Sequence, residues 1–543
     1  MVFARRSTTL LAAIIASCAM VLSLTACTSD NKTVVDGQTT VTSNSAGGVA
    51  VFTPSDGITL NQQTPLNKWA KLVPDLAKAL ADAGFKKGDI DHTTSDSLAK
   101  QSRAIQDFVV DHLSNNTTDD SGIAIAPDNM TLLVAPVVEA DASTRQYGDY
   151  ISQNLSTNDA TDGEATSDGE SSEDDSSKDD SSNTESDSTA SDEQAQAVDR
   201  LVSSLKLAKE SGMHVVLLGN SIEGYKPDAF VKFSDAQTIG KLQAEKMASK
   251  LKLDKASKDN PKYIEVLLPY TAVDEKGNAN DSTFAQEAFR GIWQVLGSYY
   301  QKGVVESPSG TLDGKSTEND WQAVAYDAAK EGSTAKVLDK RLAKTDGQST
   351  LTRIDGIITM NDYIASEVVK ELDDLGYTGS AADINPQITI SGIVGNITGK
   401  KDLSRDAVPD PIKSPENDNA NDSSSSDDDA DEDTSASDKD RDSQWPLVTG
   451  YGAYVSNIPS IVNGKQWMTG MEDRQTIATD IAQACAKLNK DEALNSMPSI
   501  RNSEVGGVKK IPTISEPLLA VSASNLKSAL IDPGYISLAD AGL

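Results

Sequence analysis

Apolar residues between positions 49 and 540 recur in two forms, short unbroken runs and longer stretches spaced every three or four residues. Val49-Ala50-Val51-Phe52 is a run of the first form and stops at Thr53-Pro54, which predicts a buried strand. Trp69 to Ala83 has the second form: Trp69, Leu72, Val73, Leu76, Ala79 and Leu80 share one helical face, and Gly84 ends it. Leu98–Leu113 repeats the helical spacing with Ile105, Phe108 and Val109. Leu132–Pro136 then predicts a strand, Ala197–Glu210 a helix and His214–Leu218 a strand. The rhythm restarts after Asp235. Ile239–Leu251 reads as a helix, Tyr263–Leu268 as a strand, and Phe284–Gln301 and Trp321–Glu331 as helices. Gly356–Thr359 follows as a strand, Ile364–Leu375 as a helix ending at Gly376, Pro446–Thr449 as a strand and Thr476–Leu488 as a helix. This alternation predicts parallel sheets covered on both faces, an α/β chain of two doubly wound units.

Polar stretches interrupt the pattern. Residues 154–191 and 414–443 are runs of Ser, Asp, Asn and Glu with almost no apolar residue. Such composition cannot bury enough surface to offset chain entropy, so both are expected to be disordered acidic insertions. Their spacing lacks the glycine turn of a calcium loop. At the start of the chain, Arg5-Arg6 precedes the apolar run Leu11–Ala26, which ends in Leu24-Thr25-Ala26-Cys27. A basic start, a short apolar core and small residues before a cysteine predict a bacterial lipoprotein signal over residues 1–26, with Cys27 as the lipidated residue. The run is too short for a comfortable membrane span. Residues 27–48 read as a polar tether, which places the protein on the outer face of the cell membrane, held by its lipid.

The formal net charge of -33 argues against nucleic acid or an anionic membrane surface as partner. Once the leader is removed, Cys485 is the one thiol besides Cys27, so no internal disulfide is expected. His92, His112 and His214 stand far apart, giving little basis for a metal site or a histidine-based catalytic site. No cofactor and no enzymatic activity are expected.

Nine short motifs occur in a telling order. They are Lys68-Trp69; Ala99-Lys100-Gln101 with Ile105; Leu133-Val134-Ala135-Pro136; and Phe233-Ser234-Asp235 with Ile239-Gly240 and Gln243. Ile264-Glu265-Val266 with Arg290-Gly291, Met360-Asn361-Asp362 and Leu447-Val448-Thr449-Gly450 follow. The last two are Ile461–Thr469 and a tail from Gly507 through Pro512 and Pro517 to Asn525 and Gly534-Tyr535. Together they resemble the multiple-monosaccharide-binding proteins of bacterial sugar ABC importers, which have the type I periplasmic-binding-protein fold.

The resemblance implies two lobes joined by three chain crossings, near Ser234-Asp235, Met468-Thr469 and Ile511–Glu516. The first lobe would span 49–234 and 469–512, the second 235–468 and 513–543, with one acidic insertion in each. It also implies a monomer that captures a small ligand, a monosaccharide, in the interlobe cleft and hands it to an ABC permease. By position in the family pattern, the ligand-binding candidates are Trp69, Asn220, Asp235, Asp281, Trp321, Asp362 and Tyr451. Several depart from that pattern. Asn220-Ser221 stands where the family has Asp-Arg, Gly450-Tyr451-Gly452 where it has Gly-Gln-Asp, and Glu472 where it has Lys. Loss of the arginine removes a cation that grips hydroxyls in pairs. Plainer roles stand beside each candidate: core packing for Trp69 and Trp321, helix capping for Asp235 and Asp362. The departures also fit an alternative in which the fold serves as a cell-surface sensing or protein-interaction module that no longer transports sugar.

Overall fold

The computed structural model describes residues 32–35, 38–41, 46–55, 65–115, 129–138, 144–156, 184–273, 279–343, 351–381 and 443–543. The leader, Cys27 and most of both acidic stretches lie outside these residues. Met1–Asn44 forms one compact unit and Ser45–Leu543 a second. In the first, Lys32–Val35 pairs antiparallel with Gln38–Val41, where the polar composition predicts only a tether. Thr33, Val34, Val35, Thr39, Thr40 and Val41 are β-branched, the residue type that favours a pleated strand.

The second unit begins with β1 (Gly48–Pro54), α1 (Trp69–Asp82), β2 (Ile90–Ser95), α2 (Leu98–Asn115), β3 (Met130–Val134), α3 (Thr184–Glu210), β4 (His214–Leu218) and β5 (Ala229–Lys232). It continues with α4 (Ala236–Lys250), β6 (Lys262–Val266), α5 (Thr283–Gln301), β7 (Val305–Glu306), α6 (Ser333–Arg341), β8 (Gly356–Ile358), α7 (Asp362–Leu375) and β9 (Leu447–Tyr451). The last elements are β10 (Met468–Met471), α8 (Arg474–Leu488), β11 (Ile500–Val505), β12 (Val508–Ser515) and β13 (Leu519–Ser522).

These strands build two sheets. The first has the order β11-β12-β5-β4-β3-β1-β2, parallel except for the β11–β12 hairpin. The second has the order β7-β6-β8-β9-β10-β13, parallel except for β13. The fold is therefore α/β with two doubly wound parallel sheets, as the sequence pattern predicts.

Alternation along the strands decides which helices cover which face. Val49 and Val51 pack with Leu133, Val216 and Leu218 against Leu72, Leu76 and Leu80 of α1 and Ile477 and Ile481 of α8. Ala50 and Phe52 point the other way with Leu132 and Leu217, toward Ile105 and Val109 of α2 and Leu201 and Leu205 of α3. In the second lobe, Ile264, Val266 and Ile358 meet α4 and α5, while Ile357 and Val448 meet Leu338 of α6 and Val368 of α7. Helices α4 and α5 touch at two glycines. A Cβ on Gly240 would sit 2.2 Å from the Ala288 carbonyl oxygen, and one on Gly291 2.0 Å from that of Gln237.

The sheets move two lobe boundaries. Residues 469–471, expected to begin the return to the first lobe, lie in β10 between β9 and β13 in the second sheet. Residues 513–515, expected in the second lobe, complete β12 alongside β5 in the first. The physical reason is burial: Met468, Thr469 and Met471 are enclosed by strands of the second sheet, and Thr513 and Ile514 by those of the first. The crossings thus fall at Ser234-Asp235, Glu472-Asp473 and Glu516–Leu518.

Two further elements differ from expectation. The helix predicted over Trp321–Glu331 is a single turn, Trp321–Val324, after which Ala325-Tyr326 pairs parallel with Leu268-Pro269. The acidic insertion expected over 154–191 is shorter at both ends: Asn154-Leu155 pairs with Ser221-Ile222, and α3 begins at Thr184.

Candidate functional site at the lobe junction

Loops that follow strands of both sheets meet between the lobes. The first-lobe wall is aromatic. Trp69 opens α1 and is buried, with its ring edge-on to Tyr150 at 5.1 Å and to Phe233 at 5.7 Å between centroids. Tyr150 and Phe233 stack on each other at 4.7 Å. Such arrangements are the favoured ones for rings of this kind. The Tyr150 hydroxyl donates to the Lys68 carbonyl at 2.6 Å, and Asp149 accepts from Lys68 Nζ at 2.7 Å and from the Trp69 amide at 3.1 Å. Asn220, at the end of β4, is buried and spends its amide on the backbone: Oδ1 accepts from the Gln153 amide at 2.9 Å, and Nδ2 donates to the Pro136 carbonyl at 2.9 Å.

The second-lobe wall is polar and centred on Asp362, the first residue of α7, which is completely buried. Its carboxylate accepts from Gln466 Nε2 at 2.7 Å, from Thr469 Oγ1 at 2.9 Å and from the Tyr454 amide at 2.9 Å. Asn457 Nδ2 bridges the Asp362 carbonyl at 2.7 Å and Gln466 Oε1 at 2.8 Å. Burial pushes the Asp362 carboxyl up to about 6, against the opposing pull of those hydrogen bonds. Gly450 makes room for this group, since a Cβ there would lie 2.1 Å from Asp362 Oδ1. The backbone around it is tight: Met360 has a φ of 69°, and Ala453 one of 49°, the left-handed region.

A third group joins the crossings. Glu472, buried at the second crossing, accepts from the Ser234 amide of the first at 2.6 Å. Ser234 Oγ lies 2.5 Å from the Tyr451 hydroxyl, which also reaches Glu472 Oε1 at 3.5 Å. No cation is among these hydrogen-bond partners. Burial pushes the Glu472 carboxyl up to about 7, while its bonds with Ser234 and Tyr451 pull it down.

The remaining candidates are bonded within their own segments. Asp235 caps α4, accepting from the Thr238 amide at 2.7 Å and its hydroxyl at 2.6 Å, with Lys232 Nζ at 2.8 Å. Burial raises its carboxyl, but the bonds from Lys232 and Thr238 outweigh that and hold it below the usual range. Asp281 is exposed ahead of α5 and accepts from the amide and hydroxyl of Thr283 at 2.9 and 2.7 Å. Trp321 stands edge-on to Tyr270 at 5.1 Å, beside a cavity of about 320 Å³ lined by Thr271, Val273, Tyr326 and Asp327 among others. A larger cavity of about 740 Å³ lies at the other end of β4, among His214, Asp228, Asp491 and Arg501.

The structure therefore brings Trp69 close to the Gly219-Asn220 turn and sets Tyr451 beside Asp362 through Gly450. Asp235 lies at the first crossing, near enough for its charge to bear on Glu472, while the bonds of Asp281 go to Thr283 and the ring of Trp321 to Tyr270. Sequence reasoning missed Gln146 and Tyr147, which cross the junction, and the Asn457–Gln466–Thr469 set around Asp362. The signal for the first was present as Tyr147 and Tyr150, two aromatic residues in an otherwise polar stretch. Among the described residues no group of three or more His, Cys, Asp or Glu is placed to hold a metal ion. The carboxylates of Asp149, Asp362 and Glu472 are each held by donors from the chain itself.

No family model matches the chain, and no curated protein matches it. Among solved structures, the chain is similar to an ABC transporter solute-binding protein from Clostridium phytofermentans with bound β-D-glucose, at 17% identity over 91% of this chain and 99% of that one, TM-score 0.44. It is similar to a carbohydrate transporter solute-binding protein from Chloroflexus aurantiacus in complex with D-glucose, at 17% identity over 92% and 98%, TM-score 0.43. It is also similar to a periplasmic ribose ABC transporter protein from Conexibacter woesei, at 13% identity over 90% and 96%, TM-score 0.40. The fold assignment rests on the strand order of this chain, not on these likenesses.

Proposed function

We propose that this chain is a solute-binding protein, lipid-anchored through Cys27 on the outer face of the cell membrane, that captures a small ligand between its lobes and passes it to an ABC permease. The observation that carries the reading is the pair of doubly wound sheets joined by three crossings, an architecture whose hinge closes on contacts made with both sides. The monosaccharide class comes from the motif resemblance. Aromatic rings on the first-lobe side, with amides and a carboxylate on the second, are chemistry that suits a ligand with a C–H face and a rim of hydroxyls. No bond is broken in this role, and the chain acts as a monomer.

The reading is tested by thermal melting against a panel of monosaccharides. A saturable rise in Tm with one member is expected, because binding to the folded state alone stabilises it; no rise across the panel counts against it. Anchoring is tested separately by incorporation of a labelled fatty acid, which Cys27→Ser is expected to abolish.

One observation favours the alternative, a sensing or interaction module. The polar groups at the junction are bonded to the chain itself, and Tyr147 lies buried where the lobes meet. Permease and ATPase genes beside the coding gene favour transport; their absence favours the second role.

A further inference from the structure

Between β3 and α3 the chain runs through Thr144–Leu155, and this run touches both lobes. Tyr147 is 1% exposed. Its ring centroid is 4.7 Å from that of Phe284 in α5 and 6.2 Å from that of Tyr451 in β9, both second-lobe residues. Beside it, the Gln146 carbonyl accepts from the Tyr454 hydroxyl at 2.6 Å, and Gln146 Oε1 accepts from Asn361 Nδ2 at 3.1 Å. Tyr147 and Ile151 belong to the same apolar cluster as Ile239, Phe289 and Met360.

Two residues later the same run is bonded to the first lobe. The Asp149 amide donates to the Asn67 carbonyl at 2.8 Å, its carboxylate holds Lys68 and the Trp69 amide, and Tyr150 stacks on Phe233. A guest that closes a two-lobed protein does so by making contacts with both jaws at once. This segment makes them with a ring, a carbonyl and an amide on one side and a carboxylate and a second ring on the other.

We propose that Gln146-Tyr147 is a built-in guest: the segment holds the lobes together without ligand, and any soluble molecule entering the junction must displace Tyr147. The device goes beyond the proposed capture of a solute and does not depend on which solute is captured. It changes what binding reports, since a tethered competitor lowers the apparent affinity of any guest in proportion to the fraction of time the junction is occupied.

The test uses the full chain, unfolded and refolded without sugar, and compares it with Tyr147→Ala, Tyr147→Phe and Gln146→Ala. Small-angle X-ray scattering reads the separation of the lobes, with the parts common to all four chains cancelling in the comparison. Hydrogen exchange reads the Ile364 and Tyr454 amides. The refolded wild type is expected to be compact and protected at both amides. Tyr147→Ala is expected to raise the radius of gyration and speed exchange at these amides on the order of tenfold. Tyr147→Phe, which keeps the ring, is expected to stay near wild type. Should Tyr147→Ala fail to fold, Gln146→Ala carries the test through a smaller shift in the same direction. A refolded wild type as extended as Tyr147→Ala overturns the proposal, and so does an alanine variant at either position indistinguishable from wild type. No sugar enters this experiment, so its failure leaves solute capture standing, and a silent sugar panel leaves the built-in guest standing.

Discussion

The two walls of the junction solve the same burial problem in opposite ways. The first-lobe wall excludes water with three rings, Trp69, Tyr150 and Phe233, whose mutual contacts need no polar partner apart from the Tyr150 hydroxyl. The second-lobe wall buries a carboxylate, Asp362, and makes that tolerable by surrounding it with three donors. The first wall is stabilised by area; the second is held by satisfaction of charge, and its cost appears when one partner is removed. A ring wall tolerates small changes in a guest. A satisfied carboxylate offers a guest little until its own bonds are exchanged.

The comparison is broken most directly by truncating both walls. Trp69→Ala is expected to lower stability by about 3–5 kcal/mol, the usual result for a buried tryptophan. Asp362→Ala should cost about 3 kcal/mol by stranding its donors. Denaturant unfolding measures both. A loss from Asp362→Ala with none from the isosteric Asp362→Asn would show that shape, and not charge satisfaction, holds the second wall.

The hinge sharpens the contrast through pH. Because Glu472 titrates higher folded than unfolded, the native state binds more protons than the unfolded chain between about pH 4.5 and 7. Its contribution to stability is therefore fully present below that window and is lost as pH rises through it. Glu472→Gln, which keeps the acceptor for the Ser234 amide, is expected to be more stable than wild type at pH 8, by about 3 kcal/mol at most, and level with it near pH 4. Melting curves of the two proteins across that range check the sign.

Asp235 gives the smallest effect. As an N-cap whose carboxyl is held low by its partners, Asp235→Ala should cost about 1 kcal/mol, and more at pH 7 than at pH 3. A loss of ligand binding without this loss of stability would move Asp235 from capping to ligand contact.

The legible part of the fold was the part whose apolar residues are contiguous in sequence. β1, β3 and β4 are buried runs, and α1, α2, α5 and α7 each show an apolar stripe. β2 has no such run because it is a sheet edge: Asp91, His92, Thr93 and Thr94 are exposed and the strand is held by its ladder to β1. The only local sign of the β11–β12 hairpin is Gly506-Gly507, a two-residue turn. Motif position singles out Trp69, Asn220 and Asp362, and a departure from the motif singles out Tyr451. Their partners were not, because Gln466, Thr469 and Tyr454 reach Asp362 only after the second sheet has formed, and no local pattern encodes that meeting.

The three crossings leave the strands of each sheet interleaved along the chain. A backbone break anywhere between Ala381 and Ser443 would yield a front fragment carrying β1–β5 and β6–β8, and a rear fragment carrying β9, β10, β13 and the β11–β12 hairpin. Neither fragment owns a whole sheet. They are laced together along β8–β9 in one lobe and β5–β12 in the other, so each sheet is complete only when both fragments are present.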